Sequence, residues 1–246
     1  MQQYIYQTEK LLKLTNLKVT YITHSGNDMS PVNAARISRD AQTLGKIEVN
    51  DKDKKLMNFL AENNHMTPFE HASLSVLVEC PIVIRSQIHR HRTFSYNEVS
   101  RRYTSEGIEF YIPDIVTYQG TNDKQKGGEQ LSPEDLKYFQ DEVTKINEYL
   151  EGKYNEFVSK NIARENSRMV LPQTLMTKFY MSGNIRNWAH FMKLRLDDHA
   201  QYETQIIAQE VLKIAMKHFP ETMKILMKHV KFDSDSNLNE ILSGDY

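Results

Sequence analysis

The chain has 246 residues, 39% of them hydrophobic, and its formal charge of −1 is close to neutral. This length corresponds to one large domain or two small ones, and ten phenylalanines and thirteen tyrosines are enough for a substantial core. No apolar run approaches the length of a spanning helix, so we expect no membrane span, and the balanced charge gives no support for non-specific binding to nucleic acid or membranes.

The cysteine content and the amino terminus together predict a cytoplasmic protein. Cys80 is the single cysteine, which excludes an internal disulfide and fits a reducing compartment. The segment 1–6 lacks the basic and apolar regions of a signal peptide.

Short elements are predicted in the first part of the chain. Residues 19–23 form a strand, and Ser30 caps a helix that has a proline at its first position. A second helix covers residues 50–63. Residues 71–80 alternate in polarity, which predicts a strand half-buried against helices, and Pro81 opens the next helix. The apolar stripe of the second helix is Leu56, Phe59 and Leu60, and the buried strand face is Ala72, Leu74, Val76, Val78 and Cys80.

A long amphipathic helix dominates the second part. The polar, glycine-containing segment 120–131 is interpreted as an excursion within one domain, and Ser132 caps the helix 132–159 that follows it. The apolar stripe of that helix, which is core or a subunit interface, consists of Leu136, Phe139, Val143, Ile146, Leu150, Tyr154 and Phe157. A strand at 175–182 and helices at 184–195, 201–218 and 221–230 follow.

The irregular alternation of strands and helices favours an α+β fold over a doubly wound sheet. We therefore expect a single α+β domain that covers residues 1–246. Its central sheet is expected to be mostly antiparallel and flanked by helices, one of them the long amphipathic helix.

The segment 85–102 concentrates positive charge in a nearly neutral chain. Its eighteen residues include five arginines and two histidines but a single acid, Glu98. Because arginine's planar fork of donors suits phosphate, a phosphate-bearing ligand is the first expectation. A solvated basic face is the alternative. The rings of Phe94, Tyr96 and Tyr103 among the charges favour a ligand site.

The spacing of Arg90 and Arg92 is informative. On one helix these side chains would point in nearly opposite directions, since neighbours on a face are three or four residues apart. If the helix ends near Arg90, then Gln87, Arg90 and His91 can share a face while Arg92 turns elsewhere. This layout suits two adjacent ligands.

The same segment resembles a family signature. Residues 90–92 read Arg-His-Arg and are followed, after seven residues, by Ser100, which is similar to the Arg-His-Arg-x7-Ser signature of the flavin-dependent thymidylate synthases. Similar segments in the family's order are 65–71, 184–186 and 194–201, within a similarity that runs from about Gly26 to about Phe219.

The resemblance implies two ligands, the substrate dUMP and the cofactor FAD. It assigns to dUMP the residues Gln87, Arg90, Glu98, Ser100, Arg101, Arg102, Arg168 and Arg195. It assigns to FAD the residues Ser38, His65, Thr67, Arg90, His91, Arg92, Glu98, Asn184, Arg186 and His190. Arg101 stands where the family often has glycine, so its expected contact is through the backbone, and His190 stands where asparagine is common.

The residues of the second half support a phosphate site on their own. Arg186, His190 and, roughly, Lys193 are spaced to share a helix face, and Asn184 falls near the start of that helix. Helix-start N–H groups and an arginine together could hold a pyrophosphate or an adenine ribose.

The resemblance implies a direct chemical role for Arg195. Uracil C5 is a poor nucleophile, and a fixed cation against N3 and the adjacent carbonyl stabilises the ionised ring as charge shifts onto it. Cys80 is expected to pack as a small hydrophobe, and Ser100 has no evident neighbouring base, so no covalent nucleophile is predicted.

The implied reaction makes dTMP from dUMP, with methylenetetrahydrofolate as carbon donor and NADPH as the reductant of FAD. The resemblance also implies a homotetramer. The sequence identifies no folate or NADPH contacts, and hydroxymethylation of dUMP remains an alternative.

Two other classes of protein are alternatives for these residues. A metal-dependent phosphohydrolase would draw its ligands from scattered residues, but no tight His-x3-His pair occurs, and we predict no metal site. The scattered residues are His65, His71, His89, His91, Asp197, Asp198 and His199. A nucleotide- or RNA-binding module could stack bases on the rings near the arginines, but the neutral charge argues for a closed small-molecule pocket.

Overall fold

The computed structural model describes residues 17–39, 46–104, 107–121, 127–228 and 242. Its strands are β1 (Lys18–Ser25), β2 (Ser73–Pro81), β3 (Ser95–Glu98), β4 (Thr117–Gln119), β5 (Gly127–Gln130) and β6 (Met176–Asn184). Its helices are α1 (Met29–Arg36), α2 (Asp51–Glu62), α3 (Ile82–Ile88), α4 (Pro133–Ser159), α5 (Arg164–Ser167), α6 (Ile185–Arg195), α7 (Tyr202–His218) and α8 (Pro220–Lys228).

The main sheet has four antiparallel strands in the order β1-β2-β6-β3. A separate antiparallel pair joins β4 to β5, with Thr117 opposite Gln130. These features confirm the predicted α+β class, the antiparallel sheet and the long helix. Among the described helices, none has the length and apolar character needed to cross a bilayer.

The chain divides into two compact units. Of the described residues, the first unit comprises those at 17–18, Val78–Arg90 and Asn97–Phe179, and the second comprises those at Val19–Leu77, at His91–Tyr96 and from Tyr180 onward. The extent of a single domain over residues 1–246 stays a prediction.

Strand β2 has the predicted alternation. Ala72, Leu74, Val76, Val78 and Cys80 are at most 1% exposed, while the side chains between them are half-buried. In the second unit, Trp188 Nε1 donates to the Leu74 carbonyl at 3.0 Å, which ties α6 to this strand. The burial of one strand face therefore anchors the helix that carries the candidate FAD residues.

A buried carboxylate organises α2 in the second unit. Asp53 is fully buried and accepts from Lys46 Nζ at 2.7 Å, from Arg36 Nη2, and from the backbone N–H of Asn50 at 3.0 Å. The Asn50 side chain caps the helix in return, so the pair forms a capping box. Burial alone would raise the pKa of Asp53, but the Asn50, Lys46 and Arg36 donors outweigh it and lower that pKa.

Another buried carboxylate, that of Asp28, caps the start of α8. Asp28 accepts from the backbone N–H groups of Thr222 at 2.8 Å and Glu221 at 3.1 Å, which satisfies donors that the first helical turn leaves unpaired.

Gly183 lies where a side chain cannot fit. A Cβ at this position would come within 2.5 Å of the Phe94 ring. That ring packs edge-on against Trp188, with centroids 4.6 Å apart. The end of β6 and the segment around Phe94 therefore approach closely only because residue 183 is glycine.

Several element predictions were wrong in detail. Helix α1 begins at Met29, so Ser30 lies inside it and does not cap it; Asn27 Oδ1 accepts the Met29 N–H at 2.9 Å instead. Phe59 is 55% exposed, and the buried positions of α2 include Met57 and Ala61. The segment 120–131 includes β5, and its residues 122–126 lie outside the described part, as do residues 229–230 of the last predicted helix.

Candidate active site

The arginine-rich segment begins on a helix and leaves it before Arg90. Helix α3 ends at Ile88, and its last turn closes when the His89 N–H donates to the Arg85 carbonyl at 2.9 Å. The side chains of Arg90 and Arg92 are exposed, and neither forms a side-chain bond or an ion pair with another described residue. The helix end expected near Arg90 is confirmed, and both guanidinium groups remain available to a ligand.

One cleft lies within the first unit and has a volume of about 700 Å³, in the range of small-molecule sites. Four residues predicted for dUMP line it: Glu98, Ser100, Arg101 and Arg168. Other lining residues are Arg85, Thr177, Glu165, Met169 and Leu171. The structure thus collects half of the predicted dUMP set in one place.

The charges of this cleft are partly paired. Arg85 Nε donates to Glu98 Oε1 at 2.9 Å, and the lining residue Glu165 forms an exposed ion pair, at 3.1 Å, with Arg102, which does not line the cleft. Arg101 Nη2 donates to the Gly107 carbonyl at 2.7 Å. Arg168 forms no ion pair with any described residue. Its charge is therefore available, as far as the described residues go, to attract an anion.

The other residues predicted for dUMP lie elsewhere. Gln87 is half-buried on α3, Arg90 is exposed beyond the end of that helix, and Arg102 is exposed at the turn after Ser100. Arg195 belongs to the second unit. Thr177 was not predicted from the sequence, although its hydroxyl donates to Glu98 Oε1 at 2.7 Å. No local pattern joins two residues 79 positions apart.

A second cleft, of about 680 Å³, lies within the second unit. Asn184, Arg186 and His190 of the predicted FAD set line it. Glu70, Thr93, Asn187, Lys193 and Met66 are further lining residues. The expected shared placement of Arg186, His190 and Lys193 is confirmed, since all three face this cleft.

The start of α6 shapes this cleft. Asn184 Oδ1 accepts the Asn187 N–H at 2.9 Å and caps the helix, while Asn187 Nδ2 donates to the Thr93 carbonyl at 2.9 Å. Arg186 is held by an ion pair with Glu70, and Lys193 forms no ion pair with a described residue. The start of α6 with Arg186 and the amides of Asn184 and Asn187, together with Lys193 in the last turn of the same helix, forms a donor set that fits a diphosphate-bearing group such as FAD.

The remaining residues predicted for FAD do not line the second cleft. His65 and Thr67 are exposed on either side of Met66, which does line it, and the Ser38 hydroxyl donates to the Ala35 carbonyl at 3.0 Å. Arg92 is exposed, and Glu98 belongs to the first unit.

His91 contacts Arg195 in the second unit. The ring is only 7% exposed, and Arg195 Nε donates to its Nε2 at 2.9 Å. Because arginine only donates, Nε2 is the acceptor and the ring proton is on Nδ1. Burial, with smaller contributions from the charges of Arg195 and His190, lowers the pKa of His91 to about 4. His91 is therefore a neutral acceptor that orients the guanidinium of Arg195.

Comparisons with known proteins give a consistent family. A family model described as "Thymidylate synthase complementing protein" matches residues 20–221. The flavin-dependent thymidylate synthase of Thermosipho africanus is 39% identical over 208 residues, which cover 82% of this chain and 87% of that protein. The flavin-dependent thymidylate synthase of Ehrlichia ruminantium (strain Gardel) is 33% identical over 231 residues, or 93% of this chain and 76% of that protein.

A solved structure extends the likeness to the fold. The UMP/dUMP methylase PolB from Streptomyces cacaoi, bound with 5-Br dUMP, superimposes with a TM-score of 0.81 at 28% identity and covers 89% of this chain and 98% of its own. These matches define an enzyme of the methyltransferase class. The chain belongs to the flavin-dependent thymidylate synthase family.

Proposed function

We propose that this protein methylates dUMP to dTMP, with methylenetetrahydrofolate as carbon donor, NADPH as reductant, FAD as cofactor, and no cysteine nucleophile. The observation that carries the proposal is the cleft of about 700 Å³ that Glu98, Ser100, Arg101 and Arg168 line. It combines cations for a phosphate with a carboxylate for a donor group, and it contains the last residue of the Arg-His-Arg-x7-Ser signature.

Phosphate recognition is attributed to the cationic side of that cleft. Arg168 supplies a guanidinium that pairs with no described residue, Ser100 a hydroxyl, and Arg101 a backbone N–H as well as charge. Gln87, Arg90 and Arg102 complete the proposed dUMP set. The UMP/dUMP methylase PolB, bound with 5-Br dUMP, supports this choice of substrate.

The phosphate-bearing part of FAD is assigned to the second unit. Asn184, Arg186 and His190 would hold its phosphate-bearing part at the start of α6, and the family resemblance adds Ser38, His65, Thr67, Arg90, His91, Arg92 and Glu98. When bound and reduced, the flavin supplies the hydride that completes the methyl group.

The chemical role proposed for Arg195 is electrostatic. A permanently charged guanidinium against the pyrimidine stabilises negative charge as it develops on the ring, and one such donor contributes about 3 kcal/mol to catalysis. His91 supports this role because it accepts from Arg195 Nε without carrying charge.

The absence of a thiol nucleophile is supported by the setting of Cys80. Its side chain is completely buried, and burial strongly raises the pKa of the thiol, which suppresses the thiolate. The single cysteine also supports the proposed cytoplasmic location.

A homotetramer is proposed on the basis of α4. Only Asn147 and Tyr154 are buried among its described residues, although the helix is 27 residues long. Exposed rings and an isoleucine remain along it: Tyr138, Phe139, Ile146 and Tyr149. Association with further copies would cover this apolar surface.

Product analysis tests the reaction. The purified holoprotein, yellow if it binds flavin, is incubated with dUMP, NADPH and methylenetetrahydrofolate, and each component is omitted in turn as a control. We expect dTMP only in the complete mixture. A hydroxymethyl product would identify the alternative chemistry, and no modified nucleotide in any mixture would contradict the proposal.

A further inference from the structure

Glu98 receives two side-chain donors on the same oxygen. Arg85 Nε donates to Oε1 at 2.9 Å, and Thr177 Oγ1 donates to Oε1 at 2.7 Å. The donors come from α3 and β6, while Glu98 ends β3. All three residues belong to the first unit and line its cleft.

The backbone fixes the same place. The Val99 N–H donates to the Lys178 carbonyl at 3.0 Å, so the residues that follow Glu98 and Thr177 are bonded to each other. Thr177 is 8% exposed, and the side chain of Glu98 is 22% exposed. The carboxylate therefore approaches the cleft from a well-determined position.

The second carboxylate oxygen is left for a ligand. Within the part of the chain that the structure describes, no residue donates to Glu98 Oε2. An ionised carboxylate only accepts hydrogen bonds, so its partner in the cleft must be an N–H or O–H group. Two fixed donors on Oε1 hold the plane of the carboxylate, and with it the direction in which Oε2 accepts.

We propose that Arg85 and Thr177 are positioning residues that orient Glu98 so that Oε2 accepts a hydrogen bond from the bound nucleotide. The inference rests on the proposed function, because dUMP is the nucleotide. It assigns a role to two residues that act through Glu98. Thr177 is the cleaner of the two to test, since Arg85 also contributes charge to the cleft.

Threonine 177 offers a conservative series. Thr177→Val keeps the shape and removes the donor, whereas Thr177→Ser keeps the donor. The matched control is Thr174→Val in the same unit, which removes a similar bond, 2.6 Å from Thr174 Oγ1 to Asn147 Oδ1, without contact to Glu98. The measurements are flavin content, calorimetric Kd for dUMP on the holoprotein, and the separate values of KM and kcat.

We expect Thr177→Val to weaken dUMP binding about tenfold, the usual effect of one hydrogen bond to a charged group. KM should rise by a similar factor, while flavin content and kcat stay within about twofold of the parent. In Thr177→Ser and Thr174→Val, dUMP affinity and KM should also stay within about twofold of the parent. In a Glu98→Gln background, Thr177→Val should cause little further loss, since both changes act on one carboxylate.

Three results would overturn the inference: unchanged dUMP affinity in Thr177→Val, an equal loss in Thr174→Val, or full additivity with Glu98→Gln. Failure of the parent holoprotein to bind dUMP is a different result. It would overturn the proposed substrate itself, and the inference with it, before any variant is compared.

Discussion

His91 is a buried side chain whose protonation state follows from its surroundings. It is held neutral by burial and by the neighbouring Arg195 charge. In the unfolded chain its pKa returns towards the ordinary value of 6.5, so the unfolded state binds the proton more readily between about 4 and 6.5.

Stability should therefore fall as the pH is lowered through that window. For His91 the loss is on the order of 3 kcal/mol when complete, and none is expected above the window. Urea unfolding of the parent and of His91→Gln between pH 7 and pH 4.5 measures it. Glutamine keeps an acceptor for Arg195 but does not titrate, so the stability of the His91→Gln variant should depend less on pH than that of the parent. Equal slopes would contradict the pKa assigned to His91.

Replacing Arg90 and replacing Arg195 should impair different functions of the protein. Arg90→Ala should lose flavin retention and dUMP affinity together, because both ligands are proposed to use it. Arg195→Ala should keep FAD and lose about a hundredfold in turnover, because its contribution is made to charge on the pyrimidine. Flavin absorbance and single-turnover rates separate the two variants. The same loss of FAD in both would mean that the roles are wrongly assigned.

Cys80→Ala should retain most of the activity. The buried thiol lies on the apolar face of β2, so its removal should cost about 1 kcal/mol of stability and leave the chemistry intact. Mass spectrometry during turnover with dUMP provides the direct test. A pyrimidine adduct on Cys80 or on Ser100 would exclude a mechanism without a covalent nucleophile.

At the scale of elements, the start of α2 depends on one carboxylate. Asp53→Ala removes the capping box and leaves Arg36 and Lys46 without their shared partner, so we expect a loss of about 3 kcal/mol in unfolding free energy. Asp51→Ala is the control, since that residue is exposed in the same turn and contributes less than about 1 kcal/mol through the helix dipole. Thermal and urea unfolding measure both variants, and an equal loss of stability in Asp51→Ala and Asp53→Ala would disprove the special role of Asp53.

Elements with a local signal were predictable from the sequence. The alternation in β2 was predicted correctly because a period of two in burial is visible in neighbouring residues of the sequence. The cap of α6 was predicted correctly because Asn184 directly precedes that helix. The pair β4–β5 was missed because a polar, glycine-containing segment carries no apolar period.

The candidate site was predictable to a different degree. Charge density and the interleaved rings singled out the segment around Arg90, helix spacing indicated Arg186 and His190, and family resemblance supplied most of the other residues. The bonds that organise the site join residues far apart in the chain, such as Glu98 with Thr177 and His91 with Arg195. No residue pattern specifies such pairs, because they arise only when separate elements pack together.

At the scale of the whole molecule, the assembly should depend on the uncovered side of α4. Ile146→Asp places a charge on that apolar surface, so we expect dissociation of the tetramer and loss of flavin together. Thr144→Asp, on the opposite side of the helix, is the control and should stay assembled. Light scattering with flavin absorbance measures both. A fully active monomer would refute the tetramer.

The contact of Gly183 with the Phe94 ring also limits how related sequences can diverge. If residue 183 is substituted while the ring is present, the new Cβ comes within 2.5 Å of the ring, so such a substitution is strongly disfavoured. A smaller side chain at residue 94 removes this obstacle, although it leaves a gap beside Trp188. The two substitutions are therefore tolerated in one order only, with Phe94 replaced before Gly183. A lineage that keeps the phenylalanine also keeps the glycine.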